Sequence, residues 1–301
     1  MNPHTTAGAV LLNKPADVSS FRALAPVKRI FRKQKVGHTG TLDPFATGLL
    51  VVLVGPLTRL APELSGLDKE YEAVFTFGAE TDTLDPTGTV VCRTDRIPEL
   101  DQVKHVLPQF IGTVEQIPPK YSAIHVNGKR AYDLARHGIE PEIPARQVRV
   151  HAIEVLSWAS PQLSVRIACG SGTYVRSLAR DIGRACGSFA HVHSLHRTRV
   201  GRFHVNDSQT FDSGESSLSV IPAYEVMRML DDMVCAEIRT DVERDIRHGK
   251  PFSPDMLAEP VSADNCHRLA LFNRNRSLLA LVTQGEAGYS YRFVVPGEYG
   301  Q

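Results

Sequence analysis

The chain has 301 residues, 42% of them hydrophobic and 22% charged, with a formal net charge of +1. That length predicts one large domain and a smaller one, and the composition suits a soluble protein with a sizeable core. No apolar run approaches the roughly 18 residues of a membrane span, so no membrane partner is expected.

Met1 to Gly8 has neither a basic nor a long apolar region, so no signal peptide is expected. The five cysteines are odd in number, widely spaced and without a C-x-x-C pair. That pattern argues against a disulfide framework or zinc site and for a reducing cytoplasm.

Charge is uneven along the chain. Val18 to Leu42 holds Arg22, Lys28, Arg29, Arg32, Lys33 and Lys35 and no acid. Gly187 to His204 holds Arg197, Arg199, Arg202 and four histidines, again without an acid. Acids gather between 212 and 245, among them Asp231, Asp232, Asp241, Glu243 and Asp245. A basic side and an acidic side suit a phosphate-bearing partner.

In chain order, Ala9–Leu12 reads as a strand. Ser19 and Ser20 are caps for a helix with Leu24, Val27, Ile30 and Phe31 on one face. Pro26 predicts a kink or late start in it. A turn-rich loop follows, Gly37-His38-Thr39-Gly40-Thr41-Leu42-Asp43-Pro44-Phe45-Ala46-Thr47-Gly48, and then an apolar run, Leu49 to Gly55, with the content of a buried strand. Pro44 biases Asp43 toward extended backbone, which holds that carboxylate on a stiff segment. An Asx-turn feeding a strand is the alternative reading.

Leu57–Leu64 predicts a short helix. Lys69–Phe77 alternates, with Tyr71, Ala73, Phe75 and Phe77 on one face of a half-buried strand. Leu100–Phe110 predicts a helix. Residues 117–146 change character, with several prolines, an Asn127-Gly128 hairpin signal and a short basic helix expected over Lys129–His137. They read as an excursion between two strands.

Val148–Leu156 and Leu163–Cys169 predict strands, and Gly170-Ser171-Gly172-Thr173-Tyr174-Val175-Arg176 opens a helix to about Cys186. That glycine pair is no dinucleotide fingerprint, and no P-loop occurs. His191, His193 and His196 have no Cys, Asp or Glu ligand close by in sequence, so no metal is expected. Ile221–Leu230 predicts a helix. Strands at Arg268–Asn273, Leu278–Gln284 and Tyr291–Val295 predict a small β-barrel after residue 237.

The run Gly37 to Leu50 resembles the signature loop of the TruB family, the tRNA pseudouridine-55 synthases. The resemblance makes Asp43 the catalytic residue. Lys69-Glu70-Tyr71 resembles the family's K-x-Y motif, which implies that Tyr71 packs on the target uracil. Gly172 to Arg176 resembles its G-T-Y-[IV]-R motif, which implies that Arg176 pairs with Asp43. Arg197 to Phe203 resembles the strand closing the active site, with Leu195 at its apolar wall.

Coverage runs from about residue 8 to the C-terminus, with departures at Asn13, His125 and His196. The implied fold is α+β, the pseudouridine synthase fold, with a central mixed, largely antiparallel sheet and flanking helices. A thumb at about 117–146 and a PUA-like RNA-binding domain over 237–301 complete a catalytic domain of 1–236. RNA contacts are expected from Lys14, His38, Thr41, Tyr174, Leu195, Arg197 and Arg199, and from Lys129, Arg130 and Arg136 of the thumb.

The implied reaction at position 55 of the tRNA T-loop is redox-neutral, so no cofactor is expected. A carboxylate beside C1′ either traps an oxocarbenium-like centre, as in retaining glycosidases, or takes the 2′ proton. Arg176 would orient Asp43 with its planar fork, Tyr71 would stack and could take the C5 proton, and His38 suits the gap left by a flipped nucleotide. A cytoplasmic monomer acting on tRNA without guide RNA or protein partner is expected. Two rivals are a guide-dependent relative of H/ACA type, against which the thumb argues, and an RNA chaperone or binding module.

Overall fold

The computed structural model describes residues 7–122, 124–126, 129–130, 142–210, 218–261 and 267–295, with the side chains of 125–126 and 129–130 left aside. A large sheet dominates it, in the order β14-β1-β3-β12-β4-β11-β10-β7, with β2 paired on β3 and β13 on β12. These strands are β1 (Gly8–Lys14), β2 (Val36–Thr39), β3 (Thr47–Val54), β4 (Lys69–Phe77), β7 (Gly112–Gln116), β10 (Arg146–Ala159), β11 (Gln162–Cys169), β12 (Ala190–Val200), β13 (Phe203–His204) and β14 (Ile221–Pro222). β3 and β12 run parallel, with His196 opposite Thr47 and Arg197 opposite Gly48. Every other ladder of this sheet is antiparallel.

β3 is apolar from Leu49 to Val54 because both its faces are covered there. Leu49, Val51 and Leu53 enter one core cluster, while Leu50, Val52 and Val54 enter another. β4 instead alternates, burying Lys69, Tyr71, Ala73, Phe75 and Phe77 along one face. The helix α5 (Val175–Ala185) packs Leu178, Ala179 and Ile182 into the same cluster as Tyr71, Phe75 and Leu195. Each fully buried Leu or Phe there contributes about 1.5–3 kcal/mol, and together they hold the start of α5 against β4.

The capped helix near residue 20 forms as two pieces, α1 (Ser20–Ala23) and α2 (Ala25–Ile30), with Ser19 as N-cap and Pro26 in the first turn of α2. The expected loop is shorter than its sequence suggests, since Gly37–Thr39 pair with β3 as β2. Pro108 ends α4 (Leu100–Val106) in a 3₁₀ turn over Leu107–Phe110. The stretch expected as helix over 57–64 is a 3₁₀ helix, Gly55–Leu60, followed by α3 (Ala61–Gly66). Pro222 leaves Ile221–Pro222 extended, so α6 begins later, at Ala223–Arg228.

A second hairpin, β5 (Ala79–Thr81) with β6 (Val90–Arg93), stands beside the large sheet. Lys129 and Arg130 are not helical. They form β9 (Lys129–Arg130) against β8 (His125–Val126), antiparallel, with His125 opposite Arg130 and Val126 opposite Lys129. The rest of the expected basic helix, with Arg136, lies outside the described residues.

The small β unit is a four-stranded sheet of β15 (Val234–Glu237), β16 (Arg268–Phe272), β17 (Leu278–Gly285) and β18 (Gly288–Val294), which does not close from β18 to β15 among the described residues. β15 straddles the boundary expected at 236–237, because it pairs with β16. α7 (Glu243–Arg247) lies between those two strands in sequence. Ala270, Phe272, Leu278, Leu281 and Phe293 share a core with Leu49, Leu53, Val226 and Met227, so this sheet is docked on the large one. Glu63 faces Arg292 and Arg268 across the joint, at 3.3 and 3.6 Å.

Candidate active site

Asp43 sits on the segment between β2 and β3, and five side chains fix that segment. The Ser20 hydroxyl accepts from the Leu42 N–H at 2.8 Å and donates to the Leu42 carbonyl at 2.9 Å. Lys14 Nζ donates to the carbonyls of Pro44, Pro15 and Val18 at 3.1, 2.8 and 2.7 Å. Arg197 donates through Nη2 to the Gly40 carbonyl at 3.0 Å and through Nε to the Leu49 carbonyl at 2.8 Å. Thr47 Oγ1 and His196 Nδ1 are hydrogen-bonded at 2.8 Å.

Arg197 thereby pins both ends of the Asp43 segment from the one parallel joint of the sheet. Gly48 permits that joint. Its φ is +101°, and a Cβ there would stand 2.4 Å from the Arg197 carbonyl oxygen.

The fifth side chain is Arg176, in the first turn of α5 and 3% exposed. Its Nε stands 2.9 Å from Asp43 Oδ2, and its Nη2 donates to Asp43 Oδ1 at 3.0 Å. The same guanidinium donates to the carbonyls of Thr83 at 2.8 Å and Tyr121 at 3.0 Å, and it lies 3.5 Å from Asp85 Oδ2. A fork that matches two carboxylate oxygens orients Asp43 as well as neutralising it.

The Asp43 carboxyl is held above its ordinary value of 3.8, by burial first and by Asp85, with Arg176 and Lys14 opposing. Burial likewise raises the Tyr71 phenol above 10, although Arg197 interacts with its hydroxyl and opposes the shift. Tyr71 is therefore a protonated ring at neutral pH. Burial lowers Lys14 to about 8, with Asp43 and Asp17 opposing.

Asp43, Tyr71, Arg176, Lys14, Arg197 and Leu195 are brought together here, with Leu42 and Ala46 completing the apolar wall beside Tyr71 and Leu195. Two expected RNA contacts need correction. Lys14 and Arg197 are each 1% exposed and bonded to backbone carbonyls, so they position the segment and do not meet solvent. Burial, Arg197 and Lys28 hold the His38 imidazole below 6.5, and its Nδ1 is buried with no partner among the described residues.

Thr41 is exposed. Tyr174 precedes α5, bonded through its backbone to Gln116, with Arg146 stacked 5.0 Å from its ring centroid. Arg199 lies apart, donating to the Gly201 carbonyl at 3.0 Å. The side chains of Lys129 and Arg130 fall outside the described residues, as does Arg136.

Three participants escaped the sequence reading. Ser20 was visible only as a helix cap, and the cap proves to be Ser19. His196 could be assigned to Thr47 only through the parallel pairing of β12 with β3. Asp85 had a legible signal: Thr83-Leu84-Asp85-Pro86 repeats Thr41-Leu42-Asp43-Pro44.

The chain matches the TruB family pseudouridylate synthase N-terminal domain over residues 28–175 and the tRNA pseudouridylate synthase B C-terminal domain over residues 176–234. A protein named tRNA pseudouridine synthase B from Borreliella burgdorferi (strain ZS7) is 47% identical over 203 residues, 67% of this chain and 72% of that one. A protein of the same name from Bordetella avium (strain 197N) is 46% identical over 209 residues, 68% of this chain and 86% of that one. Among solved structures, a Cbf5-Nop10-Gar1 complex is similar in fold, with a TM-score of 0.70 at 24% identity, covering 97% of this chain and 86% of the other. On these matches, and on an aspartate held by an arginine fork beside a buried tyrosine, the chain belongs to the TruB family of pseudouridylate synthases.

Proposed function

We propose that the chain converts uridine to pseudouridine at position 55 in the T-loop of tRNA. It acts alone, as a cytoplasmic monomer, without cofactor, metal, guide RNA or protein partner. The observation that carries this reading is the carboxylate of Asp43, gripped on both oxygens by Arg176 yet with 31% of its side chain exposed. The names of the relatives support tRNA as the substrate.

The C1′–N1 bond breaks, uracil turns, and a C1′–C5 bond forms as C5 loses a proton and N1 gains one. Asp43 has two routes, attack on C1′ or removal of the 2′ proton, and each requires the ionised carboxylate turned toward the sugar. Tyr71 stacks on the extruded uracil, and Leu195 bounds the pocket. As a protonated phenol Tyr71 is a platform first, and it can take the C5 proton only as the phenolate, a form that the Arg197 charge favours against burial.

We assign residues 1–236 to the catalytic domain, 117–146 to a thumb gripping the T-arm through Lys129, Arg130 and Arg136, and 237–301 to a PUA-like RNA-binding domain. Anchoring of the thumb base on α5 supports that assignment, since the Ile117 carbonyl accepts from Ser177 at 2.8 Å and from Arg180 at 2.9 Å.

The test is pseudouridine mapping on unmodified tRNA with purified protein, EDTA and no added RNA. Pseudouridine at position 55 is expected. Activity that requires a guide RNA or a divalent ion restored to folded tRNA would overturn the reading.

A further inference from the structure

Phe21, on α1, is 70% exposed, the most exposed large hydrophobic side chain of the described residues. Lys28 Nζ stands 3.8 Å from its ring centroid, which leaves the rest of the ring open. Single exposed hydrophobics are ordinary on protein surfaces, but three neighbours set this one apart.

Its chain neighbour Ser20 bonds both the N–H and the carbonyl of Leu42, the residue before Asp43. The ring is thus one residue from a clamp on the reactive segment. It also lies in the stretch from 18 to 42 that holds six cations and no acid. None of those six forms an ion pair among the described residues. Finally, Lys28 acts electrostatically on His38 of β2, the strand that directly precedes the Asp43 segment. The other exposed large hydrophobics, Val90, Val91, Ile111, Ile117 and Leu156, lie on other elements. A lone aromatic among cations without an ion pair among the described residues fits a stacked, phosphate-linked base better than a protein partner's apolar face.

We infer that Phe21 is a stacking platform for a nucleobase of the RNA substrate flanking the reacting nucleotide, with Lys28 directed to the adjoining phosphate. The inference rests on RNA being the substrate. Every base has a π face, so Phe21 supplies affinity and placement and does not read base identity. Lys28 beneath the ring adds a cation–π contact and keeps the aromatic oriented before RNA arrives.

The experiment measures binding of unmodified tRNA at several salt concentrations, alongside pseudouridine formation by wild type on the same RNA. Phe21→Ala is expected to raise Kd roughly 5- to 150-fold, the range for losing one base stack. Its salt slope should match wild type, and its kcat at saturating RNA should stay within about twofold. Phe21→Trp should keep wild-type affinity, and Lys28→Ala should flatten the salt slope by about one.

A second reading does not depend on affinity. Trp158, the one tryptophan of the chain, packs on Phe77. In a Trp158→Phe background, Phe21→Trp should show fluorescence quenching on addition of tRNA. Phe21→Ala binding within twofold of wild type, or emission unchanged at saturating tRNA, would overturn the platform. Wild type that binds tRNA but forms no pseudouridine would instead overturn the proposed reaction, leaving the binding comparison readable.

Discussion

Two segments of this molecule carry the same four residues, Thr41-Leu42-Asp43-Pro44 and Thr83-Leu84-Asp85-Pro86, and both bring an aspartate to Arg176. Their surroundings differ. Asp85 has 7% of its side chain exposed, and its Oδ1 accepts from Thr83 Oγ1 at 2.7 Å, Thr87 Oγ1 at 2.6 Å and the Thr87 N–H at 3.0 Å. Asp43 has 31% exposed and meets Arg176 with both oxygens. Leu84 adopts a φ of 62°, a strained conformation that costs on the order of 1–3 kcal/mol. A carboxylate taken up by its own loop is a positioning group, whereas one held from a single side stays open to a substrate. The tetrapeptide alone does not distinguish the two.

The largest effect that would sharpen this contrast is Asp43→Asn. It keeps size and hydrogen bonding but removes the charge, so kcat should fall on the order of 10⁴-fold while the tRNA Kd stays within a few-fold. Arg176→Lys comes next. Lysine cannot meet two carboxylates and two carbonyls with one planar fork, and misplacement by about an ångström costs roughly 100-fold.

Asp85→Asn should slow turnover only about tenfold, the rate equivalent of ~1.4 kcal/mol of lost positioning. It should also move the pH profile. In the proposed reaction ionised Asp43 is the competent form, so turnover should fall as the pH drops through its pKa, which lies above 3.8 in wild type. Removing the Asp85 charge removes one of the groups raising that pKa, so the acid limb should shift to lower pH. An unmoved limb would break the proposed coupling of the two segments.

Ser20→Ala should have the smallest effect on turnover, a few-fold. It leaves the buried Leu42 N–H without its partner, at a cost of about 1–3 kcal/mol of stability, which thermal melting would read.

The sequence made β3, β4 and the start of α5 legible because their burial patterns are local: a two-sided apolar run, a strict alternation and a glycine-rich entry to a helix. It placed Asp43, Tyr71 and Arg176 through motifs. What it could not show were contacts set by long-range pairing. Arg197 and Lys14 read as RNA-facing cations, yet each is 1% exposed. Arg197 directs its charge at the distant carbonyls of Gly40 and Leu49, and Lys14 at Pro44 as well as at Pro15 and Val18 beside it. Only the register of β12 against β3 reveals that assignment. Val36–Thr39 was hidden in a run of turn formers because pairing with β3, not propensity, makes it a strand.

The central claim, that Asp43 reacts while its twin Asp85 only positions, is tested most directly by end-point pseudouridine mapping. Wild type, Asp43→Asn and Asp85→Asn would each be held in excess over unmodified tRNA for one fixed time, long enough for an enzyme slowed about tenfold to finish. The account predicts complete conversion at position 55 by wild type, slower but complete conversion by Asp85→Asn, and none above background by Asp43→Asn. Full conversion by Asp43→Asn, or none by Asp85→Asn in a protein that is folded and binds tRNA, would contradict it.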